Sequence, residues 1–207
     1  MFVFACFSPH PPLILPSVGS ISDRKKVEKT IKSLESLAPK LKKSNPDLVI
    51  ISSPHPDWGF NVPLHFLIKN HNSYKIKPYL TDLESPQVHF ERGREIMKGL
   101  PRATRGAWIA SGDMSHRLKE DGPYGFHPSG PKFDQEFIKF LKAKDVQGIL
   151  NLNPELVEEA GECGLRSFCM LLGALEASKV KWQPEVLSYE GPFGVGYLVA
   201  NFKIKKR

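Results

Sequence analysis

Ser-Pro-His-Pro occurs twice in this chain, as FACFSPHPPLIL with His10 and as LVIISSPHPDWGF with His55. Each copy follows a short apolar run. Imidazole is a ligand for zinc, copper, iron and nickel. Proline on either side of the histidine restricts the backbone and cannot continue a sheet ladder. Each imidazole would therefore sit in a fixed turn just past a strand, and metal sites need such placement because ligand distances tolerate only small errors. A third histidine, His116, lies five residues past the apolar run GAWIAS, in SGDMSH. A single histidine in a turn is ordinarily a surface or hydrogen-bonded residue. The same turn after two buried runs favours a shared ion.

Such an ion wants a third ligand, commonly a carboxylate. Asp113, Glu162 and Glu190 are the candidates, and Cys163 competes with Glu162. Gly161 and Gly164 bracket Glu162 and Cys163, which permits an unusual backbone or a close approach. Asp113 most simply caps or braces the turn after its strand. His127, in YGFHPSG, could approach the site from a long loop. His65, His71 and His89 read as structural.

The elements that must position these residues follow from pattern. FVFACF (2–7), DLVIISS (47–53) and GAWIAS (106–111) read as strands, the latter two buried on both faces. VPLHFLIKN (62–70) reads as a further strand. A helix is expected at about 23–42, with Val27, Ile31, Leu34, Leu37, Ala38 and Leu41 on one face and Pro39 ending or kinking it. Further helices are expected at 90–100, at 133–145 and, in two pieces, at 154–178. EVLSYEG and GYLVANFKI form a closing antiparallel pair. The Gly- and Pro-rich stretch from Gly112 to Phe133 is a long loop, and such loops in compact domains are often functional. Strands alternating with helices predict one α/β domain over residues 1–207, with a mostly parallel, mixed central sheet. Ligands of open α/β sheets bind beyond the carboxyl ends of strands, where His10, His55 and His116 are placed.

Composition bounds the rest. A chain of 207 residues, 41% of them hydrophobic, can bury a core, and no apolar run approaches the roughly 20 residues of a membrane helix. The N-terminus lacks a basic region and a cleavage site, so it does not read as a signal peptide. Three cysteines, an odd number, predict free thiols and a cytoplasmic setting. The net charge of +7 gathers in residues 23–43 and in the tail KIKKR. Those lysines read as a solvated helix face; no aromatic stripe or reading motif points to nucleic acid.

The stretches SPHPP, SPHPDW, SGDMSHRL, GPYGFHPSGPKFD, EEAGECGLRS and SYEGPFGVGYLVA together resemble the class III extradiol ring-cleavage dioxygenase family. That family includes LigB-type catalytic subunits and the Memo proteins, and the dioxygenase-like part of AmmeMemoRadiSam system proteins is most similar. The resemblance covers nearly the whole chain. SGDMSHRL and AGECGLRS are its specific parts, whereas SPHP alone would be weak. Some relatives carry a second domain, which is not found before the sequence stops at ANFKIKKR.

The resemblance implies a LigB-like fold and a non-haem Fe(II) held by His10, His55 and Glu162. In Memo proteins the corresponding Cys-Gly pair supplies a thiolate, which implies Cys163 instead, with zinc or copper as the metal. His116 matches the family's catalytic histidine, an acid/base with an ordinary pKa of about 6.5. Asp113 braces the site, and Tyr124 and His127 would form a pocket wall. The implied substrates are a catechol-type aromatic and O₂. A Memo-like protein that binds metal without opening a ring, and acts in redox chemistry or in a multi-protein modification system, is the alternative. Zinc hydrolysis is a further one. Some relatives are two-subunit enzymes, so a partner subunit or a homo-oligomer is also open.

Overall fold

In the computed structural model, which describes residues 1–68 and 74–205, the apolar run Phe2–Ser8 forms β1 near the middle of a six-stranded sheet. Along the chain follow a 3₁₀ turn (Pro12–Ile14), α1 (Ile21–Lys26), α2 (Glu28–Ser44), β2 (Leu48–Ser53), α3 (Trp58–Leu67), β3 (Lys75–Leu80) and α4 (Pro86–Lys98). Next come β4 (Gly106–Ser111), α5 (Ser129–Ala143), α6 (Val146–Leu150), α7 (Pro154–Ala160), α8 (Leu165–Ala177), β5 (Lys181–Glu190) and β6 (Tyr197–Lys205). The strand order is β3-β2-β4-β1-β6-β5. β1 to β4 run parallel; β6 is antiparallel to β1 and to β5.

The sheet is covered on both faces, which explains why its inner strands are continuously apolar. In β4, Trp108 and Ala110 pack into one core with α4, α5 and α8. Ala107 and Ile109 pack into the other with α2 and α3. The first core contains a cluster of rings: Phe7 of β1 stacks on Phe168 of α8 with centroids 4.2 Å apart, and Phe202 meets Phe7 edge-on at 4.9 Å. Trp108 Nε1 donates to Ser52 Oγ, and Ser52 and Ser167 hydroxyls lie 2.8 Å apart. These contacts fix the start of α8 against β1, β2 and β4.

Three expectations are corrected. Residues 62–67 lie in α3, not in a strand. Val62, Leu64 and Phe66 alternate, but Gly59, Pro63 and Leu67 are buried too, and together they make a helical stripe. Residues 69 and 70 of that expected strand, together with His71, lie outside the described residues, as do the last two of the basic tail. The third parallel strand is instead KIKPYL, which pairs with β2 at the edge of the sheet. As an edge strand it is largely exposed and tolerates Pro78, so it lacks an apolar signature. Finally, Pro39 does not end its helix; α2 continues through it to Ser44, while a break at Val27 separates α1 from α2. Val27, Ile31, Leu34, Leu37 and Leu41 are buried as expected.

Among the described residues, no helix is long and apolar enough to cross a membrane. All three cysteines are free thiols.

Candidate metal centre

β1, β4 and β2 are consecutive in the sheet and parallel, so their carboxyl ends share one edge. His10 follows β1, Asp113 and His116 follow β4, and His55 follows β2. The two SPHP turns are therefore not on adjacent strands; the tip of β4 separates them. Their rings nevertheless meet, with centroids 5.2 Å apart and planes at 76°.

The two turns share a sequence but not a bonding pattern. In the first, the His10 N–H donates to Asp113 Oδ1 at 2.9 Å, and His10 Nδ1 lies 2.9 Å from Ser111 Oγ. When Nδ1 donates there, Nε2 presents its lone pair outward. In the second, the His55 N–H donates back to Ser53 Oγ at 3.1 Å. Gly59, at the start of α3, lies against this turn; a Cβ there would meet Ser53 Oγ at 1.9 Å. His10 is buried, whereas His55 is exposed.

The space above β4 is taken by the turn between α7 and α8. That turn reaches the strand tip because two glycines touch: a Cβ on Gly112 would lie 2.2 Å from Gly164 Cα. Gly164 N–H donates to Asp113 O at 2.9 Å, and Asp113 N–H points at Cys163 Sγ at 3.3 Å. Gly161 supplies the left-handed residue that ends α7, with φ of 63°. The result puts Cys163 Sγ 3.6 Å from His10 Nε2. One ligand atom each of His10, His55 and Cys163 lies within 4.8 Å of the others.

Glu162 goes elsewhere. Its buried carboxylate accepts from Leu165 N–H at 2.5 Å and lies 3.5 Å from Arg166 Nη1, so it caps the start of α8. Glu190 is likewise committed, accepting from the Thr30 N–H and hydroxyl at 2.7 Å near the start of α2. The geometry thus brings Cys163, rather than Glu162 or Glu190, to the two imidazoles.

Asp113 does more than brace a turn. Besides its bond to His10, its Oδ2 lies 4.0 Å from His10 Nε2, and it groups with His116 and Cys163 within 4.8 Å. His116 is held by its backbone, whose N–H donates to Ala160 O at 3.2 Å. Neighbouring Ser115 receives more support: its N–H donates to Asp134 Oδ1 and its hydroxyl to Ala160 O. The other oxygen of Asp134 accepts from the Tyr189 hydroxyl. Met114 N–H donates to Gly196 O, and Leu118 N–H to Gly194 O. The loop is thereby pinned to the turn between β5 and β6. His116 Nε2 is buried without a hydrogen-bond partner among the described residues. The Tyr124 ring lies over His116 at 5.0 Å and is 60% exposed. The His127 Nδ1 accepts from Ser129 N–H at 3.3 Å and lies 3.9 Å from Glu159.

Burial sets the charges. It pushes His10 down to about 3, with His55 adding to the effect, so His10 is neutral at pH 7. It raises Asp113 to about 6, opposed by the His10 amide. Burial, assisted by the Asp113 charge, pushes the Cys163 thiol well up. His116 is lowered by burial, against the pull of Asp113. A neutral His10 imidazole and a thiol that keeps its proton until a cation displaces it are the donor chemistry of an N/S metal site. A tetrahedral ion with a nitrogen bond of about 2.0–2.1 Å and a sulfur bond of about 2.3 Å holds those atoms about 3.6 Å apart, the spacing found between His10 and Cys163. The residues present fit a metal.

Sequence reading overlooked Ser111, Ser115, Asp134 and Tyr189, which orient the histidines. Their only signal was position: Ser111 ends a strand, and Asp134 sits on the buried face of α5.

Residues 53–200 match the family described as the catalytic LigB subunit of aromatic ring-opening dioxygenase. The protein CA_C1420 of Clostridium acetobutylicum is 33% identical over 94% of this chain and 56% of its own length, so the chain spans about half of that relative. The crystal structure of the uncharacterized protein JW3007 from Escherichia coli K12 superposes with a TM-score of 0.66, covering 96% of this chain and 99% of that one at 15% identity, a likeness of fold. The chain belongs to the LigB family of aromatic ring-opening dioxygenase catalytic subunits.

Proposed function

We propose that this chain is a metal-dependent oxidoreductase of LigB fold whose ion is held by His10, His55 and Cys163. The carrying observation is the meeting of two imidazoles and a thiol at one sheet edge. The reading departs from a two-histidine, one-carboxylate Fe(II) site, because Glu162 is bound to α8. Soft thiolate and imidazole donors suit copper, zinc or thiolate-bound iron. A bound redox-active ion would supply electron exchange with substrate or dioxygen. The chain's own residues do the rest. Ser111 orients His10, Asp113 ties the β1 turn to the β4 tip, and His116 handles a proton beside the ion. This is the Memo-like reading, in which metal-centred redox chemistry occurs without ring opening.

A second reading is ring opening of a catechol-type aromatic with O₂. The unpartnered Nε2 of His116 and the exposed Tyr124 ring beside it favour it. An aromatic stacked on Tyr124 could pass a hydroxyl proton to His116, help worth roughly 10²–10⁴-fold. Oxygen uptake by protein loaded anaerobically with Fe(II), across a panel of catechols, separates the two. No catechol-dependent uptake, above that of the Fe(II)-loaded protein alone, is expected under the first reading. Turnover that falls roughly 10²–10⁴-fold in His116→Ala would establish the second.

The buried thiol predicts how metal affinity follows pH. Cys163 keeps its proton in the metal-free protein and must lose it to bind, while His10 has none to lose. Affinity for Zn(II) should therefore rise about tenfold per pH unit between pH 7.5 and 8.5, with about one proton released per ion. Calorimetry in buffers of different ionisation enthalpy measures that release. A pH-independent affinity would remove Cys163 from the ligand set.

A further inference from the structure

The stretch SYEGPFGVGYLVA brings one side chain to this edge that the reactions above leave unused. Tyr197, the first residue of β6, is placed there by two backbone ladders. Gly196 exchanges two hydrogen bonds with the loop after β4: its O accepts from Met114 N–H and its N–H donates to Ser115 O, both at 2.8 Å. Tyr197 is thereby set beside Asp113. β6 also pairs antiparallel with β1, with Phe7 opposite Ala200. Three residues on, the same register brings Tyr197 to the turn that holds His10. The ring packs into the core under α2 and α3, and the residue is only 2% exposed. Buried tyrosine hydroxyls usually find a hydrogen-bond partner. Tyr189 does so on Asp134, whereas Tyr197 has none among the described residues. Nor is its oxygen fully enclosed. Burial first, then the Asp113 charge and Tyr124, pushes the phenol up, so it keeps its proton. Tyr124 also lies over His116, whose Nε2 is unpaired as well.

We propose that Tyr197 is a further catalytic residue of this site, its hydroxyl donating a hydrogen bond to an anionic oxygen of the substrate. The ligand class is an ionised phenol or enol: an oxygen anion on a flat, unsaturated body that can lie against the exposed Tyr124 ring. A phenol that keeps its proton is a donor, and donors held in place before the substrate arrives stabilise charge without reorganising. The packing around the Tyr197 ring holds the hydroxyl in that way. The proposal rests on a cation at His10, His55 and Cys163, because an anion beside the Asp113 carboxylate needs a positive charge to offset the repulsion.

Titration of the Zn(II)-loaded protein with 4-nitrocatechol, whose visible colour changes as it ionises, tests this. Tyr197→Phe removes the hydroxyl and keeps the ring packing, so its Tm and zinc content should match wild type. Its affinity for 4-nitrocatechol should fall about 10–100-fold, the strength of a hydrogen bond to a charged group. The bound probe should also ionise about one pH unit or more higher in the variant, because the donor favours the anion. A tyrosine that only fills the core would not move that ionisation. Equal affinity and equal ionisation in Tyr197→Phe would overturn the proposal and leave the metal centre standing, as would zinc-loaded wild type that leaves the colour unchanged. A variant that melts early or loses zinc would make Tyr197 part of the scaffold and overturn the role as well. Wild type that holds no zinc would overturn the metal reading and this proposal with it.

Discussion

Cys163→Ala should purify with far less metal than wild type, and Glu162→Gln with as much. The sulfur lies 3.6 Å from His10 Nε2, at the spacing of two ligands on one ion, and belongs to both donor sets at this edge. Altering residues that merely support metal ligands costs roughly 10–100-fold in affinity, so loss of a direct donor should exceed about 100-fold. His10→Ala should behave like Cys163→Ala. Glu162→Gln keeps an amide oxygen to accept from Leu165 N–H, so it preserves the cap on α8. Elemental analysis of anaerobically purified variants gives the answer. Equal metal in Cys163→Ala and wild type would sink the proposed centre, and selective loss in Glu162→Gln would restore the carboxylate.

The second large effect is expected from one methyl group. Gly112→Ala places a Cβ 2.2 Å from the Cα of Gly164. The Cβ is fixed directly to one backbone and the atom it meets belongs to another, so no side chain can swing aside; the β4 tip or the turn carrying Cys163 must move. Overpacking of this kind costs about 1–3 kcal/mol, and backbone against backbone should reach the upper end. For a chain of this size each kcal/mol lowers Tm by about 2–4 °C, which gives a fall of about 6–12 °C. Movement of the turn also carries the thiol away from His10, so metal affinity should drop with stability. Gly106→Ala is the control at the other end of β4, where the nearest atom, Leu100 Cδ1, would lie 3.6 Å away in ordinary contact. Thermal unfolding and metal titration of both variants measure the pair. If Gly112→Ala melts like Gly106→Ala and binds metal normally, the glycine contact does not position Cys163.

The sequence by itself determined most of the alternation of elements, the burial of the inner strands on both faces and the sheet edge at which chemistry would gather. Buried parallel strands are apolar on both faces, and prolines after them mark the ends of pairing, so β1, β2, β4 and the histidines beyond them are visible in one dimension. β3 was not, because an edge strand buries little and so carries little pattern. α3 was misread because its alternating residues hide a helical stripe that only packing on α2 and the sheet reveals.

The third donor belongs to the tertiary structure alone. Glu162 and Cys163 are neighbours between the same two glycines, and residue type favours neither. Which side chain faces His10 depends on a left-handed Gly161, on contact between Gly112 and Gly164, and on the unpaired amides at the start of α8. The Leu165 amide takes the carboxylate, and the thiol is left facing the imidazoles. The order of strands, with β4 between the two Ser-Pro-His-Pro turns, was decided in the same way. Strand order comes from crossovers and from covering both faces of the sheet, and no local run of residues encodes it.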